Sequence, residues 1–215
     1  MSGTRDALVA ALSGLTDRNE RMVAACRVIL SRLSELGVDM TVVGGSAVAI
    51  WAPSLHVSHD IDLVGVALHS RLDEVMEGDF GLARSGRHWL DAGLGIAIEV
   101  PAMALEPDGA EAVDVDGVRV ISLEDLLLDR IQQWEAAGSL EPLMQARALL
   151  GHPVMDEARL AARAHSTGST KALLAVRLAA AREVDAPLSH AVQRALSTEG
   201  LDGVRRLLDG VPRRR

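Results

Sequence analysis

The chain has 215 residues, a net charge of −8 and one cysteine. Nearly half its residues are apolar, which excludes a disordered chain, and no apolar run approaches the roughly 20 residues that span a bilayer. The acidic balance argues against an extended phosphate-binding face, and the scarcity of aromatics against a stacking platform for single-stranded nucleic acid.

The charged N-terminus, Met1 to Arg18, carries no signal-peptide pattern. Cys26 has no intrachain partner, and it falls in an apolar helical pattern that suits a buried thiol. The expected location is therefore the cytoplasm, with no membrane partner. Lys171 is the only Lys among many Arg, a bias of genome composition rather than of chemistry. The tail from Pro212 to Arg215 ends in three Arg and reads as a solvated end.

Residues 5 to 36 predict one or two amphipathic helices. Leu8, Leu12 and Leu15 recur at helical spacing, as do Met22, Cys26, Ile29 and Leu33. Thr16 or Asp17 suits the cap of the second helix, and Gly37 its end. Met40 to Val43 is a short β-branched run entering a Gly44-Gly45 turn, so a buried strand is expected. Ser46 to Trp51 reads as a helix that Pro53 ends. His59 to Val66 predicts a strand with Asp60, Asp62 and Val64 on one face.

Leu72 to Met76 suits a short helix. Strands are expected over Gly86 to Leu90 and Gly95 to Val100, turning at Asp91 to Gly93, with Pro101 closing the second. Val113 to Val115 and Val118 to Ile121 flank Asp116-Gly117, a strong hairpin signal. From Ser122 the period changes. Ser122 to Asp125 resembles a capping box, and the Ala/Leu-rich remainder to Leu208 is helical, broken near Gly151-Pro153, Gly168 and Pro187. The predicted class is α+β: a small mixed sheet with flanking helices over residues 1–121, then a helical C-terminal region over residues 122–215.

Three features carry chemistry. Glycines at 44 and 45 let the backbone approach a ligand, with following amides and the Ser46 hydroxyl available to a phosphate. Asp60 and Asp62 put two carboxylates on one strand face, where a divalent cation would remove their mutual repulsion. Glu99 is an isolated acid in an apolar run. Each has a plain alternative: a simple turn, a solvated edge strand, a solvent-facing side chain.

Together, Gly44-Gly45-Ser46, Asp60-x-Asp62 and a later strand bearing Glu99 resemble the DNA polymerase β-type nucleotidyltransferase superfamily. The Leu126-Leu-Leu-Asp-Arg130 helix is similar to a branch of small bacterial nucleotidyltransferases that includes toxins of abortive-infection toxin–antitoxin systems. The resemblance covers residues 40 to 130. It implies a nucleotidyltransferase fold in which Asp60, Asp62 and Glu99 hold Mg2+ (or Mn2+), Glu99 also serving as third ligand or base. Gly44, Gly45 and Ser46 would hold the triphosphate of an NTP. His56 and Ser58 stand where many members have Arg-x-Thr.

Arg87 and Arg130 are candidate phosphate contacts, Arg130 equally a partner for Asp129, Glu124 or Glu135. Trp89 could stack a base or pack in the core, and His59 suits packing or the surface. The implied reaction moves a nucleotide to a hydroxyl of RNA, protein or a small molecule, releasing pyrophosphate. The alternatives are a catalytically degraded interaction protein, such as a toxin–antitoxin component with an antitoxin-like partner, and a metal-dependent phosphohydrolase.

Overall fold

The computed structural model describes residues 2–213; Arg214 and Arg215 of the basic tail lie outside them. The N-terminal pattern becomes two helices, α1 (Ser2–Leu12) and α2 (Arg18–Glu35). Asp17 caps α2, its carboxylate accepting the Glu20 amide at 2.9 Å. Gly37 ends it with a φ of 72°. Its amide bonds the Ser34 carbonyl while the Val38 amide bonds that of Leu33, both at 2.9 Å, which satisfies the last turn. Leu8, Leu12, Met22, Cys26, Ile29 and Leu33 are all buried.

Strand β1 (Thr41–Val43) runs directly into α3 (Gly44–Trp51), so this helix starts two residues earlier than Ser46. Gly44, at φ 63°, makes that junction without a loop. Strand β2 is confined to Ile61–Val64, shorter than the expected His59 to Val66. The residues before it satisfy their backbone from side chains instead of a ladder. Asn19 Nδ2 donates to the carbonyls of Pro53 and His56 at 3.0 and 2.8 Å, and the Ser58 hydroxyl donates to that of Asp60 at 2.8 Å.

Helix α4 (His69–Asp73) continues as a π-helical turn over Glu74–Asp79, in place of a helix over Leu72 to Met76. The single strand expected at Gly86 to Leu90 is a hairpin. Strand β3 (Ala83–Ser85) turns at Gly86, φ 60°, into β4 (His88–Asp91). Strand β5 (Ile96–Ala102) passes through Pro101 rather than ending there. Its pairing with β2 shifts register between Asp62 and Val64, and such a bulge accommodates a residue with no N–H. The hairpin of β6 (Ala112–Val115) and β7 (Val118–Ile121) closes on Asp116 and Gly117, both at positive φ, 51° and 77°.

Among the described residues these strands form one mixed seven-stranded sheet in the order β3-β4-β5-β2-β1-β7-β6. β2–β5 and β1–β7 are parallel and the other neighbours antiparallel. Val42, Ile61, Leu63, Ile98 and Val120, from its central strands, are buried. The protein is therefore α+β. Residues Met1–Ser122 form one compact unit.

Residues Leu123–Arg215 form a second unit. It contains α5 (Leu123–Ala137), α6 (Leu140–Leu150), α7 (Glu157–Ser166), α8 (Thr170–Ala180) and α9 (Ala186–Asp209). The breaks at Gly151-Pro153 and Gly168 separate these helices as expected, and the one near Pro187 falls at residues 181–185, with Pro187 itself in the first turn of α9. A further break at Gly138, φ 67°, is not announced by a proline or a polar cluster. There the buried Ser189 hydroxyl donates to the Gly138 carbonyl at 2.8 Å and accepts from Trp134 Nε1 at 3.1 Å. No helix among the described residues is long and apolar enough to cross a membrane.

Candidate metal centre

The sheet register assembles one row of residues across four strands. Val43 on β1 pairs with Asp62 on β2, Asp62 with Glu99 on β5, and Glu99 with His88 on β4. Residues paired in this way present their side chains to the same face. Two acids that the sequence separates by 37 positions thus become lateral neighbours.

Glu99 is 6% exposed, and a carboxylate so placed requires partners. His88 Nε2 lies 3.1 Å from Oε2, and Arg87 Nε lies 3.2 Å from Oε1. Asp60, immediately ahead of β2, completes the cluster. One ligand atom each from Asp60, His88 and Glu99 all lie within 4.8 Å of one another. An ion about 2.1 Å from each donor would leave the donors at most ~4.2 Å apart, so only a small contraction is needed. Two carboxylate oxygens and an imidazole nitrogen are sound donors for a divalent cation. The site can hold a metal.

The structure thus brings Asp60 and Glu99 together and adds His88. Asp62 has a second neighbour, the Gly44 turn. Its carboxylate occupies the space beside the Gly44 Cα, with Cγ 3.0 Å from where a Cβ would stand. Ser46 locks this junction. Its hydroxyl donates to the Val43 carbonyl at 2.8 Å and accepts from the Asp62 amide at 3.1 Å, and the residue is fully buried. Ser46 is accordingly a latch between strand and helix, rather than the exposed phosphate contact expected of it. Val43, the N-cap of α3, supplies no side-chain hydrogen bond to the first turn formed by Gly44, Gly45 and Ser46.

Ser58 is also buried, and its bond to the Asp60 carbonyl fixes the approach to β2. His56 is half-buried, its carbonyl held by Asn19. His59 is exposed, and its carbonyl accepts from Arg18 Nη2 at 3.3 Å. Arg87 keeps 76% of its side chain exposed while pairing with Glu99, so it can turn toward a ligand. Trp89 packs in the core at 1% exposure. Its Nε1 donates to Asp73 Oδ1 at 3.0 Å and the Arg84 guanidinium lies 4.3 Å from its ring, so it does not stack a base. Arg130 is buried within the helical unit, bonded to Asp129 and, at 3.3 Å, to Gln145.

His88 is the member of the cluster that the sequence reading passes over. Its signal lies in register counting: a hairpin closing after Asp91 sets His88 opposite Glu99, as the ladder shows.

No family model matches the sequence, and no curated protein matches it. A crystal structure of an antigenic nucleotidyltransferase-like protein from Paracoccidioides brasiliensis is similar, with 18% identity and a TM-score of 0.46, covering 69% of this chain and 91% of that one.

Proposed function

We propose that the protein is a metal-dependent nucleotidyltransferase that moves a nucleotide from an NTP to an acceptor hydroxyl and releases pyrophosphate. The observation that carries this reading is the meeting of Asp60 and Glu99 at one point, with Asp62 between Glu99 and the Gly44 turn. The sequence motifs shared with the DNA polymerase β-type superfamily support it.

Asp60 and Glu99 are the residues that would hold Mg2+ or Mn2+, with Asp62 beside them. When bound, the ion supplies neutralisation of triphosphate charge and makes a hydroxyl easier to deprotonate. The amides that open α3 at Gly44 and Gly45 would orient the triphosphate, since a helix N-terminus favours anions. Ser46 and Ser58 hold the two Asp-bearing ends of this geometry in place. Arg87, exposed at the rim, would meet a phosphate oxygen. Catalysis would rest on position and charge. The acceptor is a hydroxyl of RNA, protein or a small molecule.

The test is calorimetric titration of each NTP in the presence of Mg2+, with Asp60→Ala and Asp62→Ala beside the wild type. Binding to the wild type that both variants lose supports the reading. No binding at millimolar NTP refutes it. Release of phosphate in place of pyrophosphate would make the protein a phosphohydrolase.

A further inference from the structure

We infer that His88 is a direct metal ligand, and that the Asp60–His88–Glu99 site selects a divalent first-row transition ion over Mg2+. The inference rests on the metal site of the proposed transferase but not on the transfer itself.

Glu99 already has a cationic partner in Arg87, at 3.2 Å. A further partner, His88, is redundant if its task is only to satisfy that carboxylate. The ring also does more than pair with Glu99, since one of its nitrogens converges on an Asp60 oxygen as well. Convergence on two carboxylates, one from the segment ahead of β2 and one from β5, is the arrangement of a ligand. Its position is built in by the backbone, because β4 and β5 pair His88 directly with Glu99.

The donor set then decides the metal. Mg2+ is a hard ion that favours oxygen ligands and retains water, whereas imidazole suits softer ions such as Co2+, Fe2+ and Zn2+. Replacing one oxygen of a three-carboxylate site by nitrogen shifts preference toward the transition metals. It also lowers the negative charge of the site by one, which costs Mg2+ more than an ion bound partly through nitrogen.

Titration of the metal-free full-length protein with Co2+ alone and with Mg2+ alone tests this, by calorimetry and by the visible absorption of bound Co2+. The wild type is expected to bind Co2+ at least about tenfold more tightly than Mg2+. His88→Gln, which preserves a polar partner for Glu99, is expected to lose about 10- to 100-fold in Co2+ affinity while Mg2+ affinity stays within about twofold. His190→Gln, on the exposed face of α9, serves as the control for adventitious histidine binding and is expected to behave as wild type. Circular dichroism establishes that each variant is folded.

Equal binding of Co2+ by wild type and His88→Gln overturns the assignment, as does a wild type that shows no preference for Co2+. Nucleotide binding in Mg2+ together with either result leaves the transferase standing without its His88 ligand. Co2+ binding that depends on His88, with no nucleotide binding in either Mg2+ or Co2+, sustains the site and removes the transferase.

Discussion

The carboxylate of Asp62 lies over the bare Cα of Gly44, in the volume that a Cβ would fill. Gly44 is at φ 63°, a conformation costing other residues about 1–2 kcal/mol. Glycine is thus required twice, once by the backbone and once by its acidic neighbour. Gly44→Ala is expected to displace Asp62 and lower the melting temperature by several degrees, at roughly 2–4 °C per kcal/mol for a chain of this size. Nucleotide affinity in the presence of Mg2+ should fall at least about tenfold, a loss of about 1.4 kcal/mol. Unchanged affinity in Gly44→Ala would show that the position of Asp62 is immaterial.

That contact explains what was legible in the sequence and what was not. The glycine turn, the Asp-x-Asp pair and Glu99 stand out because each interrupts an apolar strand context. The β6–β7 hairpin announces itself through Asp116-Gly117. Parity of spacing, however, assigns Asp60 and Asp62 one role, and this breaks down because Asp60 sits ahead of the ladder, in the segment organised by Ser58. Ser46 carries the residue type of a phosphate contact, yet only the close approach of β2 shows that its hydroxyl is consumed by Val43 and Asp62. Strand β3 gives no apolar alternation, since Ala83, Arg84 and Ser85 are all exposed. His88 depends on a pairing between strands, which composition does not encode.

Asp91 should make the sheet unit sensitive to acid. Its carboxyl is held below the usual carboxylate range, first by the Leu94 amide at 2.9 Å and then by Arg5, whose Nη2 lies 2.7 Å away. A carboxyl with a depressed folded-state pKa stabilises the protein above its unfolded value, near about 3.9, and that contribution disappears as pH falls through the folded value. Asp91→Asn is therefore expected to be less stable than wild type at about pH 7, with the gap narrowing as pH falls below about 3.9. Urea unfolding across that range measures it, and a gap independent of pH would contradict the assignment.

Cys26 should be chemically silent in the native protein. Burial pushes its thiol up to about 12, and the residue is fully enclosed in α2. The thiolate is the reactive form, so a disulfide reagent at mildly alkaline pH has almost none to attack. Native protein should label slowly and stoichiometric labelling should appear on denaturation. Fast labelling of the native state would require α2 to open locally.

The helical unit depends on a buried acid. Asp125 is fully enclosed and accepts from Arg163 Nε at 2.7 Å and from Arg159 Nη2 at 3.4 Å, both guanidinium groups reaching in from α7. Its neighbour Glu124 accepts the Asp156 amide at 2.9 Å, so the first turn of α5 anchors the start of α7 twice. Breaking a fully buried pair costs about 3–5 kcal/mol. Here the guanidinium groups retain 20% and 32% exposure and regain some hydration, so Asp125→Ala should cost less, about 2–3 kcal/mol. Trp134 is the only Trp among residues 123–215 and is fully buried, which gives this unit a fluorescence signal of its own. In a Trp51→Phe, Trp89→Phe background, Asp125→Ala should move the Trp134 transition down by roughly 4–12 °C, and Asp125→Asn, which keeps the shape and loses the charge, by less. A transition in Asp125→Ala within about a degree of the parent would mean that hydrophobic packing alone joins α5 to α7.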